Sequence, residues 1–287
     1  MTPRILCSGL LGLGLLFLHI APAWSGMAGS VDSISGSATI SRQGVQPRPL
    51  RVADQLNEGD LLTTGADSWA LLDMVDGATF TLRPNTQLRI DAYVYSESEA
   101  SKNKSFLSLI QGAFRAVTGV VGTLNRRGYA ISTPTATIGI RGTDHETAYY
   151  PPGAAEAGTE PGTYDKVNVG ETFIRSSQGE VRVRPGQAGF AYHRADRKPR
   201  VLDSIPAFYR RHAEIDRRLV DRVKTIREKH RQKRLGPRQE RSKAISDGRQ
   251  PGLKEQRAHH GQIREERRKQ EHRQGKEKKR QRREKQE

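Results

Sequence analysis

Between Val31 and Tyr192 the apolar residues recur mainly at every second position, in runs of five to eight that Gly, Asn, Asp or Pro breaks. Successive side chains on a strand point to opposite faces, so this spacing predicts short half-buried strands and argues against long helices. Ile34, Gly36, Ala38 and Ile40 alternate, as do Ala70, Leu72 and Met74 before Asp76-Gly77, with Phe80 and Leu82 resuming after it. An Asp-Gly pair supplies the positive φ of a tight type I′ turn, so a hairpin is predicted there. Residues 57–60, 83–85 and 177–180 are further predicted turns. Later strands are expected at Leu88–Ile90, Ser105–Ile110, Ala113–Val117, Tyr129–Ser132, Thr137–Ile140, Lys166–Ile174, Glu180–Arg184 and Gly189–Tyr192, with no helix among them. The small-residue and proline-rich interval Tyr149–Tyr164 is predicted to be an exposed loop or insertion. Each narrow apolar face needs cover from another sheet or coil, so the expected class is all-β: a β-sandwich or roll, or a short β-solenoid.

Charge divides the chain. Its 287 residues hold 49 Lys+Arg against 32 Asp+Glu, a formal +17, with 34% hydrophobic and 6% aromatic residues, which is too polar for one large core. Residues 27–202 carry 19 basic and 18 acidic side chains, whereas 203–287 carry 29 and 14. The high net charge therefore belongs to the C-terminal part and does not describe the β domain.

At the other end, Met1-Thr2-Pro3-Arg4, an apolar run from Ile5 to Ile20 and Ala21-Pro22-Ala23 have the three parts of a secretory signal peptide. Residues 1–23 are expected to be removed, with cleavage before Trp24. The run is broken by Ser8, Gly9, Gly12, Gly14 and His19 and is shorter than the ~20 apolar residues of a membrane span. Cys7 lies within it, so the mature chain is expected to contain no cysteine and to be periplasmic or secreted.

From Ser204 the period changes. Ile205, Phe208, Tyr209, His212, Ile215, Leu219, Val223 and Ile226 recur by three and four, which predicts an amphipathic helix over 203–235, with Ser204 as cap, Pro206 in the first turn and Gly236-Pro237 as stop. Its stripe could pack on the β domain, on a second copy of the chain, or on a membrane surface. Residues 236–287 have almost nothing to bury and are predicted to be a disordered basic tail, or beyond Arg238 a fragile solvated helix, drawn to anionic envelope polymers or lipid. Aromatic residues for base stacking are absent beyond Arg238, and export removes nucleic acid, which is not an expected partner.

Three stretches carry a family resemblance: Leu56-Asn57-Glu58-Gly59-Asp60 with Leu62-Thr63-Thr64-Gly65; Ala70-Leu71-Leu72-Asp73 through Asp76-Gly77 to Leu82-Arg83-Pro84-Asn85-Thr86; and Thr133-Pro134-Thr135-Ala136-Thr137-Ile138-Gly139-Ile140-Arg141-Gly142-Thr143. In this order they resemble the FecR domain family over about 31–201. The resemblance implies a β domain, here 31–202, that engages an envelope protein. In regulators of the iron-citrate type the domain follows a cytoplasmic anti-sigma segment and a membrane helix, a place the signal peptide takes here. Arg141, Thr143 and Asp144 are the candidate binding residues: either they face a ligand groove or partner, or Arg141 pins its own loop by hydrogen bonds to carbonyls or to a carboxylate such as Asp144.

No phosphate loop, H-E-x-x-H pair, nucleophile elbow or Cys-based metal spacing is present, so no catalytic residue, metal or cofactor is predicted. Asp144-His145-Glu146 cannot all converge on one ion from a strand without a bulge. His193, His212, His230 and His259-His260 are read as solvated. The expected function is an exported, non-enzymatic binding or scaffolding module of the bacterial envelope with a polybasic tail for anionic surfaces. The alternative is a periplasmic signalling regulator that senses a transporter or ligand and acts through a membrane partner. An enzyme on envelope polysaccharide would require a deep groove with convergent carboxylates.

Overall fold

A computed structural model describes residues 26–153, 159–194 and 196–246, with 233–246 described as backbone. The expected signal peptide, its expected cleavage point before Trp24 and tail residues 247–287 lie outside the described residues. The chain divides into two compact units, residues 1–219 and 220–287.

The strands are β1 (Met27–Ser35), β2 (Ala38–Arg42), β3 (Val45–Pro49), β4 (Gln55–Asn57), β5 (Leu61–Thr64), β6 (Trp69–Met74), β7 (Thr79–Leu82), β8 (Gln87–Val94) and β9 (Lys104–Val117). After the short helix α1 (Val120–Leu124) come β10 (Tyr129–Ser132), β11 (Thr137–Tyr150), β12 (Gly162–Ser176), β13 (Gly179–Val183), β14 (Ala188–Tyr192) and β15 (Arg200–Val201), then the long helix α2 (Phe208–Ser246). The class is mostly β with a C-terminal helix, as the spacing predicts.

All strands join one open hydrogen-bonded network with two halves. One runs β4-β1-β6-β7-β9-β11-β12-β14-β15, the other β3-β2-β5-β8-β9-β10-β11-β12-β13. The long strands β9, β11 and β12 belong to both, and each bends where it changes half. Residues 104–111 of β9 pair with β8, whereas 114–117 pair with β7. The bend is at Gly112, whose φ of +84° suits glycine and where a Cβ would stand 2.5 Å from Thr86 Cα. In β11 and β12 the register shifts between Arg141 and Asp144, opposite Gly170. Gly170 has φ +81°, and a Cβ there would stand 2.1 Å from the Gly142 carbonyl oxygen. Strand neighbours are antiparallel except β9 with β10, so the chain does not wind in the parallel coils of a solenoid. Leu72, Phe80 and Phe114 from the first half and Leu62, Ile90, Leu107 and Ile138 from the second lie in one buried cluster, so the halves share a core.

Four local readings are corrected. Residues 105–110 and 113–117 form one bent strand, because Gly112 turns the chain without releasing its ladder. Residues 120–124 are helical. Tyr149, Tyr150 and Tyr164, assigned to an exposed loop, are buried strand residues: the rings of Tyr150 and Tyr164 pack on Phe208, 5.2 and 5.4 Å between centroids. Helix α2 starts at Phe208 and passes through Gly236-Pro237 to Ser246. Pro237 forfeits one backbone bond within the helix, and residues 236–246 take the helical of the two forms expected of this stretch. The first unit extends to Leu219, and within it the first turns of α2 cover the outer face of the first half.

Candidate functional site: a sheet–helix clasp

Alternation along β11 sends His145, Thr147 and Tyr149 to one face and Glu146, Ala148 and Tyr150 to the other, where α2 begins. On that outer face Ala113, Ala148, Tyr150, Tyr164, Phe190, Phe208 and Tyr209 form a second buried cluster. On α2, Tyr209, His212 and Asp216 follow at spacings three and four and so share one face.

Arg83, just past β7, stands at the centre. The turn that places it is held by Thr64, whose hydroxyl donates to the Arg83 carbonyl at 2.6 Å and accepts from the Thr86 amide at 3.0 Å. Its guanidinium is fully buried. Nε and Nη2 donate to the two Glu146 oxygens, both at 3.1 Å. Nη2 also donates to both Asp216 oxygens, at 2.9 and 3.0 Å, and Nη1 to the His212 carbonyl at 3.3 Å. His212 Nδ1 meets Glu146 Oε1, and the Tyr209 hydroxyl donates to the Glu146 carbonyl at 3.1 Å. Arg115, on β9, donates to both Asp144 oxygens at 2.8 and 2.6 Å and pairs with Asp216 at 3.0 Å. Two arginines thus hold three carboxylates, one of them on the helix.

Burial works to raise the Glu146 carboxyl, but Arg83 and His212 overcome it and hold the group down to about 2. Burial likewise works against the Asp144 carboxylate, and Arg115 still leaves its pKa lowered. Hydrogen bonding to Asp144 raises Arg115 above its ordinary value. Glu146 and Asp144 are thus held as carboxylates, each by a guanidinium. It can clamp a helix; its acids converge beneath α2 and are occupied, unlike the open pair a glycosidase needs.

The predicted site residues do not form one group. Asp144 belongs to the clasp and also accepts from Asn168 at 3.1 Å. Thr143 lies at the bend, its amide donating to the Thr118 hydroxyl at 2.8 Å and its carbonyl accepting from the Thr118 amide at 2.9 Å. Arg141 does not reach Asp144: it pairs with Glu171 at 3.5 Å and lies 4.9 Å from the Phe173 ring centroid. Asp144 and Glu146 face the helix, while His145 faces inward and shares a 2.8 Å contact with Asp165. The sequence reading missed Arg83, taken as a turn residue, and His212, taken as solvated but buried here. The signal available for His212 was its place in the apolar stripe of α2.

Two grooves flank the start of the helix. One of about 350 Å³ is lined by Tyr164, Phe190, Arg200, Pro206 and Phe208. The other, about 550 Å³, is lined by Asn85, Gln111, Tyr150, Arg211 and Ile215. Among the described residues no helix is long and apolar enough to cross a membrane.

The family model described as FecR protein matches residues 60–163. That stretch contains Arg83, Arg115, Asp144 and Glu146, while His212 and Asp216 lie beyond it. No curated protein matches the chain. Two crystal structures of a protein from Parabacteroides distasonis ATCC 8503, described as a "putative anti-sigma factor", are similar at 12% identity and a TM-score of 0.38, over 50% of this chain. The similarity spans 59% of that protein's length.

Proposed function

From the FecR domain carried by residues 60–163, we propose that this protein is a non-enzymatic signalling regulator of the bacterial envelope. Its β domain receives a partner or ligand and passes the state to a membrane protein through the helix that Arg83 holds. The family is the first support, since the FecR resemblance implies regulation rather than catalysis. The observation that carries the reading is the bond of Arg83 to both Glu146 and Asp216. A fully buried guanidinium with two acids on different elements has two discrete conditions, helix engaged and helix released, because an unpaired charge cannot stay in the interior. In this reading the signal peptide delivers the chain to the periplasm, and the partner is an envelope protein.

The test is to produce the wild type and Asp216→Asn in the parent bacterium, follow transcript levels and fractionate the cells. The wild type alters a defined gene set from the periplasmic fraction, and the variant shifts the size of that response. Periplasmic protein with no transcript change from either form would sink the reading.

A second reading, an exported scaffold, draws support from the 29 basic residues of 203–287. In it the segment adds attachment to anionic polymer or lipid without any change in transcripts.

A further inference from the structure

Away from the clasp, one solvent-facing surface carries groups that the fold does not consume. On the ribbon of β11, β12 and β13, Arg141 stands opposite Glu171, and Arg182 opposite Phe173. The guanidinium carbons of Arg141 and Arg182 lie 4.9 and 5.3 Å from the Phe173 ring centroid. Glu171 reaches both, at 3.5 and 3.3 Å. Each arginine is held in place by a ring and a carboxylate yet remains 48% exposed, with N–H groups left for solvent. Arg175, paired with Glu180, continues the same face and is 73% exposed.

Gly139 is the cross-strand neighbour of Phe173. Its φ is not positive, and a Cβ there would meet nothing within 4 Å. Neither backbone conformation nor crowding requires glycine at this position. Its effect is a side-chain-free floor beside the ring. Among the described strands β13 pairs with β12 alone, so its outer edge offers backbone donors and acceptors to an added strand.

We propose that this face docks an extended acidic segment of a partner protein, which lies along the free edge of β13 and sets its carboxylates on Arg141 and Arg182. The edge selects an extended backbone. The guanidinium forks select carboxylates, and because ring and Glu171 already hold them, less side-chain entropy is lost on binding. Arg141, Arg175, Arg182 and the exposed Arg184 outnumber Glu171 and Glu180, so the face is cationic. The proposal names partner chemistry for the signalling reading and rests on it only in requiring a protein partner.

The test uses the full chain and a peptide of about ten residues alternating Glu and Val. Hydrogen exchange of amides 179–184 is the readout, which keeps binding to the basic C-terminal segment from counting. The acidic peptide slows exchange at β13, and a Lys-for-Glu peptide does not. Arg141→Gln/Arg182→Gln, checked for unchanged melting, weakens the effect about tenfold. Arg141→Lys/Arg182→Lys, which keeps charge but loses the fork, falls between. No slowing at saturating peptide, slowing unchanged in the glutamine variant, or slowing by phosphatidylglycerol vesicles alone would overturn the proposal. Asp216→Asn leaves the effect intact, so an intact docking face with no transcript response sinks the signalling reading alone, and the reverse sinks this surface alone.

Discussion

Arg83 and Asp216 lie 133 residues apart in the chain, and a single guanidinium nitrogen of the first donates to both carboxylate oxygens of the second, at 2.9 and 3.0 Å. The same arginine grips Glu146 on the sheet, so the start of the helix is tied to the β domain by a charge that cannot be left alone. Taking ions out of water costs several kcal/mol each, and the pairing repays that only while every partner is present.

Arg83→Met is therefore expected to destabilise the first unit by about 3–5 kcal/mol, since Glu146 and Asp216 remain buried or half-buried without their cation. Urea denaturation of the full chain measures it. Adding Glu146→Gln and Asp216→Asn to Arg83→Met should recover part of the loss. A triple variant as weak as the single one would show that the arginine acts through its packing.

Acid should act through Glu146. Its folded pKa of about 2 lies below the ordinary 4.5, so its contribution is complete above pH 4.5 and is lost as pH falls toward 2. The shift corresponds to stability on the order of 3 kcal/mol. Denaturation midpoints measured across this window should fall steeply in the wild type and more gently in Glu146→Gln.

Three glycine-to-alanine changes separate crowding from conformation. Gly170→Ala should unfold or severely weaken the domain, because φ is +81° and the new Cβ would lie 2.1 Å from a carbonyl oxygen. At Gly186 φ is +80° but the space is open, so the cost should be about 1 kcal/mol. Gly139→Ala should leave melting nearly unchanged. Thermal melts of the three proteins should rank them in that order.

Phe208 is 1% exposed and meets the rings of Tyr150 and Tyr164 edge-on. Phe208→Ala should cost about 3–5 kcal/mol and speed amide exchange over 209–219. Exchange in β7 and β9 should stay slow if the helix can release separately from the sheet.

Much of the β domain was legible because it depends on local rules. The alternation Ala70, Leu72, Met74 and Phe80, Leu82 appears as the antiparallel hairpin β6–β7, but its turn is not the expected type I′: of Asp76 and Gly77 only Gly77 has a positive φ, +82°. Asp60 of the Asn57–Asp60 turn accepts from the Asn57 amide at 2.7 Å and from Arg42 at 2.9 and 2.7 Å. The site was less legible. Arg141, Thr143 and Asp144 are neighbours in sequence, but the bend opposite Gly170 sends Arg141 to the outer ribbon and Asp144 to the clasp. An arginine after a strand and before Pro-Asn reads as a solvated turn residue unless its acid partners are known to converge on it.

From the sequence alone came the strand period, the turns at Asp76-Gly77 and Asn57–Asp60, the three-and-four spacing that begins α2, the split of charge at about residue 202, and the FecR resemblance. All are set by residue type and short-range spacing. Only the tertiary structure decided that Arg83 is interior, that His212 is buried and that Asp216 closes on the sheet. Those contacts join residues 63 to 133 apart, and they exist only once strand register and helix docking have brought opposite charges together out of water.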